Sequence, residues 1–171
     1  MIRQGILSDT IDSKALTEAC AQHLLEQGIA QWNENYPSLE VLKKDLAAGN
    51  SYVYIINGEL VGTVMFSQEK DPVYDPIQWL SPEEGAYYVH RLAVHPLFQK
   101  QGIARALMDF VEEEVLRIGG QSIRLDTFSK NIRNQRFYKA RGYTQLGMIY
   151  FPHKSEHPFH CFEKVLHTHN S

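Results

Sequence analysis

The chain has 171 residues, 43% of them apolar and 11% aromatic, enough for one globular domain over residues 1–171 with a proper core. Its net charge of −3 argues against a broad nucleic-acid surface, so any anion site must be local. Two cysteines are too few for a disulfide framework, no secretory-type leader is visible, and no apolar run approaches the roughly 20 residues that span a bilayer; the expectation is a soluble, cytoplasmic protein with neither nucleic acid nor membrane as partner.

Residues 2–7 read as a short first strand. Asp12 or Ser13 is placed to cap a helix with Leu16, Ala19, Cys20, His23 and Leu24 along one face, ending near Gly28. An aromatic, polar loop then leads to a second helix with Ser38 at its cap and Gly49 at its stop. In SYVYIINGELVGTVMF, Asn57-Gly58 between two β-rich runs predicts a hairpin. Prolines and acidic residues break up 67–85, yet Tyr74, Trp79 and Leu80 are too apolar to be left in water, so this loop should fold back over the body.

AYYVHRLAV, residues 86–94, is a strand, and a helix from Gly102 to about Ile118 follows it. Its apolar stripe is Ile103, Leu107, Phe110, Val111, Val115 and Ile118, with Glu112, Glu113 and Glu114 mostly off it. SIRLDTF is the next strand, and NIRNQRFYKARG a short helix with Asn131 at its cap and Gly142 at its stop. The strand–helix–strand order implies a parallel pair with a right-handed crossover. Residues 143–151 and 159–166 read as two more strands.

FQKQGIARAL, residues 98–107, opens its helix without the usual cap, because no Ser, Thr, Asp or Asn occurs from His95 to Ile103. Water or a bound anion can satisfy the first-turn N–H groups. Gly102 would let a phosphate approach the backbone, and Lys100 and Arg105 put positive charge at a helix end that already favours anions. Neither the P-loop spacing nor the G-x-G-x-x-G of dinucleotide folds is present.

Gln99-Lys100-Gln101-Gly102-Ile103-Ala104 resembles motif A, Q/R-x-x-G-x-G/A, of the GNAT superfamily of acyl-CoA-dependent N-acetyltransferases. NIRNQRFYKARGY resembles that family's N-x-x-A-x-x-F-Y-x-x-x-G-F/Y segment, with Asn131, Phe137, Tyr138, Gly142 and Tyr143 in step. The likeness covers residues 86–146; Ala104 replaces the commoner second glycine, and Asn134 stands where a small alanine is frequent. The resemblance implies an α/β fold, its central sheet mixed and mostly antiparallel, with the fourth and fifth strands parallel and splayed and helices flanking them. It implies acetyl transfer from acetyl-CoA to a primary amine, with no metal. By position, the backbone of Leu92, Ala93 and Val94 would bond the pantetheine arm, and residues Gln99, Lys100, Gln101, Gly102, Ile103, Ala104 and Arg105 would wrap the pyrophosphate. Asn131 would bond the same arm, Asn134 would line the cofactor wall, and Tyr138 would sit by the thioester sulfur.

The amine must lose a proton whose pKa is about 10.4 before it attacks, whereas a thiol of pKa about 8.5 leaves more easily, so a base matters more than an acid. His90 is the best single base: strand alternation puts it on the face of Tyr88 and Leu92, and imidazole titrates near neutrality. HRLAV is also similar to the histidine-bearing strand of the arylalkylamine N-acetyltransferases, where a histidine acts through water. Many GNAT enzymes instead carry a glutamate at the position of Tyr88. A packed, backbone-bonded His90 is the competing reading, and Glu83 and Glu84 are reserve bases.

Trp32, Asn33, Glu34 and Tyr36 fall in the loop that borders the acceptor site in this superfamily, and Trp79 and Tyr74 could close its other side; a mini-core under long loops is the alternative. Arg124 and Asp126 share a strand face and can pair. His153, His157, His160, Cys161, His167 and His169 match no zinc spacing. The acceptor, small molecule or protein, stays open. A non-catalytic CoA-binding module is the alternative function, and FHCFEKVL could form the edge of a homodimer.

Overall fold

Short-range chemistry sets the first half of the chain. Asn57 and Gly58 both take positive φ, 50° and 81°, the primed-turn geometry that matches the twist of the strands it joins, β2 (Ser51–Ile56) and β3 (Glu59–Ser67). The computed structural model describes residues 1–33 and 35–167; Glu34 and His169 lie outside the described residues.

The remaining elements are β1 (Ile2–Gln4), α1 (Thr10–Glu26), α2 (Leu39–Ala47), β4 (Ala86–Val94), α3 (Ile103–Arg117), β5 (Ser122–Phe128), α4 (Ile132–Ala140), β6 (Thr144–Ile149) and β7 (Phe159–Val165). The sheet is mixed, in the order β1-β2-β3-β4-β5-β7-β6. β4 and β5 run parallel, paired from Ala86↔Ser122 to Tyr88↔Arg124. β7 is antiparallel to both β5 and β6. It is therefore an interior strand with both sides paired, which overturns the expectation that FHCFEKVL forms an edge.

The chain divides into two compact units, residues 1–66 with 90–110 and residues 67–89 with 111–171, so that the boundary falls inside β4 and inside α3. In the first unit, Ser38 caps α2, its Oγ accepting from the Val41 N–H at 3.2 Å. α1 starts earlier than its sequence suggests: Asp9, not Asp12 or Ser13, precedes it, and the Asp9 carboxylate takes the Arg3 guanidinium at 2.8 and 3.0 Å and the Ile6 N–H at 2.8 Å. Ser13 is instead buried on the inner face with Leu16, Thr17 and Cys20. Leu16, Cys20 and Ala93 form a core cluster joined by Trp32 and Leu60, each large aliphatic side chain contributing about 1.5–3 kcal/mol by leaving water.

In the second unit, Phe128, Phe151 and Phe159 pack edge to face at 5.0 and 5.1 Å, and Tyr138 lies beside Tyr143 and Phe162. The 67–85 loop does fold back. Tyr74 is fully buried and its hydroxyl donates to Asp126 at 2.5 Å, while the Trp79 indole donates to the Tyr74 carbonyl. The Leu80 N–H and the Ser81 hydroxyl both donate to Glu163 at 2.5 Å, although the Leu80 side chain itself is exposed. Arg124 pairs with Glu163 rather than with Asp126, because the antiparallel register sets Arg124 directly opposite Glu163. Glu112, expected off the buried stripe, is buried and pairs with Arg141 and Lys164.

Candidate active site

The site begins with how the first unit builds the turn between β4 and α3. After Val94 the His95 N–H donates to the Val61 carbonyl at 2.8 Å, and the His95 imidazole accepts from the Leu97 N–H, fixing a one-turn 3-10 segment, Pro96–Phe98. The Gln99 amide folds back to the Val94 carbonyl at 3.2 Å. Lys100 and Gly102 both have left-handed φ, 66° and 81°, with Gln101 between them on the ordinary side. Such alternation of hand turns successive N–H groups toward a common anion. It costs lysine about 1–2 kcal/mol that glycine does not lose.

α3 follows at once, with no acidic residue in its first turn and with the Ala106 N–H bonded to the Gly102 carbonyl. A side chain at Gly102 would meet only the Arg105 guanidinium, 3.5 Å away, so the backbone here is open on one side and lined by a cation. At Gly62 of β3, a Cβ would come within 3.1 Å of Ile103 and 3.2 Å of Leu107; the glycine lets the start of α3 seat closely on the strand. Ile103 is buried, Ala104 half-buried, and Lys100, Gln101 and Arg105 are exposed. A diphosphate thus fits the chemistry of this turn: open backbone, a helix N-terminus and two cations.

β4 departs from simple alternation. Arg91 has φ 56°, left-handed inside a strand, and past Tyr88 the burial no longer alternates: Val89 is buried, His90, Arg91 and Leu92 are half-buried, and Ala93 and Val94 are buried. The face argument that groups Tyr88, His90 and Leu92 therefore does not describe the strand beyond Val89. Tyr88 is fully buried with its hydroxyl accepting from Arg124 at 3.0 Å. Within the proposed pantetheine edge the Val94 carbonyl is already occupied, by the Cys20 thiol at 3.2 Å as well as by Gln99. Burial pushes the Cys20 thiol up to about 12 against the opposing effect of that bond.

Beside this strand the first unit gathers two of the acceptor-side residues. Trp32 packs against the cluster of Leu16, Cys20 and Ala93, and the Tyr36 hydroxyl accepts from Arg91 at 3.3 Å. Arg91 also grips Asp45 of α2 in a two-pronged pair at 2.6 and 2.8 Å. Nothing in the sequence spacing announces this pair, since its members are 46 positions apart.

The second unit holds the other predicted residues. Asn131 caps α4, its Oδ1 accepting from the Asn134 N–H at 3.1 Å, and the Asn134 amide donates to Thr127 at 3.4 Å. Tyr138 is buried to 5% exposure; burial, then the Asp126 carboxylate, holds its phenol well above the ordinary range. Asp126 is itself raised by burial, opposed by the Tyr74 hydrogen bond. Trp79, half-buried, lies 4.6 Å from the Arg124 guanidinium, its ring facing that cation. Glu83 is engaged with Lys70 at 2.8 Å, and Lys70 also takes Asp75. Among the described residues no group of three or more His, Cys, Asp or Glu side chains is arranged to hold a metal, and no helix is long and apolar enough to cross a membrane.

Comparison with known proteins matches residues 17–143 to the acetyltransferase (GNAT) family. The chain is 24% identical over 165 residues to the uncharacterized N-acetyltransferase YesJ of Bacillus subtilis (strain 168), covering 95% of this chain and 88% of that protein. Among solved structures it resembles a GNAT-family acetyltransferase of Streptococcus agalactiae 2603, with TM-score 0.85, 22% identity and coverage of 98% and 96% of the two chains. It also resembles yncA from Salmonella typhimurium, a structure described with its cofactor acetyl-CoA, with TM-score 0.71, 17% identity and coverage of 100% and 96%. The family match extends over most of the chain and includes β4, the left-handed turn, the start of α3 and α4; this protein therefore belongs to the GNAT family, as an acyl-CoA-dependent acetyltransferase.

Proposed function

We propose that the chain transfers the acetyl group of acetyl-CoA directly to a primary amine, acting as one N-acetyltransferase domain over residues 1–171. The observation that carries this reading is the turn before α3, where Lys100 and Gly102 are left-handed and the Arg105 guanidinium lies beside open backbone. Residues 99–105 bind the pyrophosphate by backbone N–H groups and local charge. Leu92 and Ala93 offer main-chain bonds to the pantetheine arm. Asn131, fixed by its capping bond, is assigned to the pantetheine arm and Asn134 to the cofactor wall.

Bound acetyl-CoA supplies an activated thioester. His90, through water, accepts the proton of the ammonium, and the amine lone pair forms the new C–N bond as the C–S bond breaks. The Tyr138 hydroxyl gives its proton to the departing sulfur, for which a phenol kept protonated by burial is suited, and the second proton shed by the new amide nitrogen restores the phenol. No covalent enzyme intermediate is needed, since holding amine and thioester in line supplies much of the rate. Both cysteines are free, buried and raised in pKa, so neither presents a thiolate at neutral pH, which also suits a reducing, cytoplasmic setting. Trp32 and Tyr36 border the acceptor, a small molecule or a protein amine.

The test is calorimetric titration with acetyl-CoA of the wild type and of Arg105→Glu. Gly102 is the poorer target because any L side chain is strained at its φ, whereas an acidic residue in the first turn of α3 suits the helix and opposes phosphate. Wild-type binding that falls at least about tenfold in the variant supports the reading. Binding by the wild type without thiol release on any primary amine would favour a CoA-binding module instead.

A further inference from the structure

Three described residues other than glycine have left-handed φ: Asn57 in a hairpin turn, Lys100 in the anion turn, and Arg91 inside β4. Glycine would take the Arg91 conformation without strain, so an arginine there must be held by something its side chain does. Its guanidinium is forked onto Asp45, Nε to Oδ2 at 2.6 Å and Nη2 to Oδ1 at 2.8 Å, and Nη1 donates to the Tyr36 hydroxyl at 3.3 Å. The two ion-pair side chains are only 11% and 7% exposed, which makes a two-pronged pair both directional and costly to break. One guanidinium therefore ties α2 and the loop before it to the point where β4 turns.

On the far side of that turn the strand is pinned again, with Ala93 packed on Leu16 and Cys20 and the Val94 carbonyl bonded to the Cys20 thiol. The backbone between the two pins is Leu92 and Ala93. We propose that Arg91 is a positioning residue: its grip on Asp45 and Tyr36 fixes the β4 turn that presents the Leu92 and Ala93 backbone to the pantetheine arm. This inference rests on the acetyl-CoA reading above.

The experiment compares two ligands on wild type, Arg91→Gly and Asp45→Asn by calorimetry, with thermal unfolding run alongside. Acetyl-CoA carries the pantetheine arm, and adenosine 3′,5′-bisphosphate lacks it. Arg91→Gly keeps the backbone conformation accessible but removes the grip, and Asp45→Asn keeps Arg91 but breaks the charged fork. For the folded variants the expected result is a rise of about tenfold in the acetyl-CoA Kd with the bisphosphate Kd held within about twofold. A merely structural role would lower the unfolding temperature and leave that ratio unmoved. Unchanged acetyl-CoA binding, or equal weakening of both ligands, overturns the proposal. A wild type that binds neither ligand removes the acetyl-CoA reading itself, and this inference with it.

Discussion

A phenol is a useful acid only while it keeps its proton, and burial together with the Asp126 carboxylate keeps the Tyr138 proton on at any pH the protein would meet. The sign is fixed: a raised phenol pKa means the neutral donor is the form present both at pH 7 and at pH 9. The leaving thiol, with a pKa of about 8.5, needs that donor less as the pH rises past its own value. Tyr138→Phe, which keeps the ring among Tyr143 and Phe162 and deletes only the hydroxyl, should lower kcat by about tenfold at pH 7 and by progressively less toward pH 9. Its acetyl-CoA Kd should be unchanged. Steady-state rates across that pH range, with any primary amine the wild type acetylates, check this, and the absence of a defect at every pH would mean Tyr138 acts by packing alone.

At the scale of elements, what the sequence announces is what is decided within a few residues. The Ser38 and Asn131 caps depend on side chains bonding nearby backbone, the Asn57-Gly58 hairpin on positive φ at its two turn residues, and β4 on a contiguous run of β-forming residues, and each stands where its residues predict. α1 escapes that logic because its start is set by Asp9 engaging Arg3 of β1, a partner that capping rules do not consider. Ser13, which looks like a cap, is carried into the buried face, where its hydroxyl has no hydrogen-bond partner among the described residues. An unsatisfied buried hydroxyl costs about 1–3 kcal/mol. Ser13→Ala should therefore stabilise the protein by about 1 kcal/mol, read as a higher denaturant midpoint at unchanged slope. A loss of stability would mean that the hydroxyl finds a partner in solution.

At the scale of the whole molecule, distant pairings are the part that no local pattern carries. Arg124 and Glu163 lie 39 positions apart, and only the insertion of β7 between β5 and β6 brings them together. The anion turn was legible because its glycine, its cations and its missing cap are contiguous, whereas the Arg91 turn was not, its cause lying on α2. Net charge then sets how that anion turn must work. A chain of net charge −3 repels a polyanion at long range, so on the proposed acetyl-CoA reading the affinity comes from Lys100, Arg105 and the backbone at close quarters. Added salt, with a screening length of about 8 Å near 0.15 M, weakens the distant repulsion as well as the local attraction. Acetyl-CoA affinity should therefore fall less than about threefold between about 50 and 300 mM salt, far less than for a protein with a broad basic face. Arg105→Gln should bind more weakly at low salt and show a shallower slope, because less local attraction is left to screen. Calorimetry at three salt concentrations decides it: a steep fall for the wild type would require cations well beyond the turn to contact the phosphates.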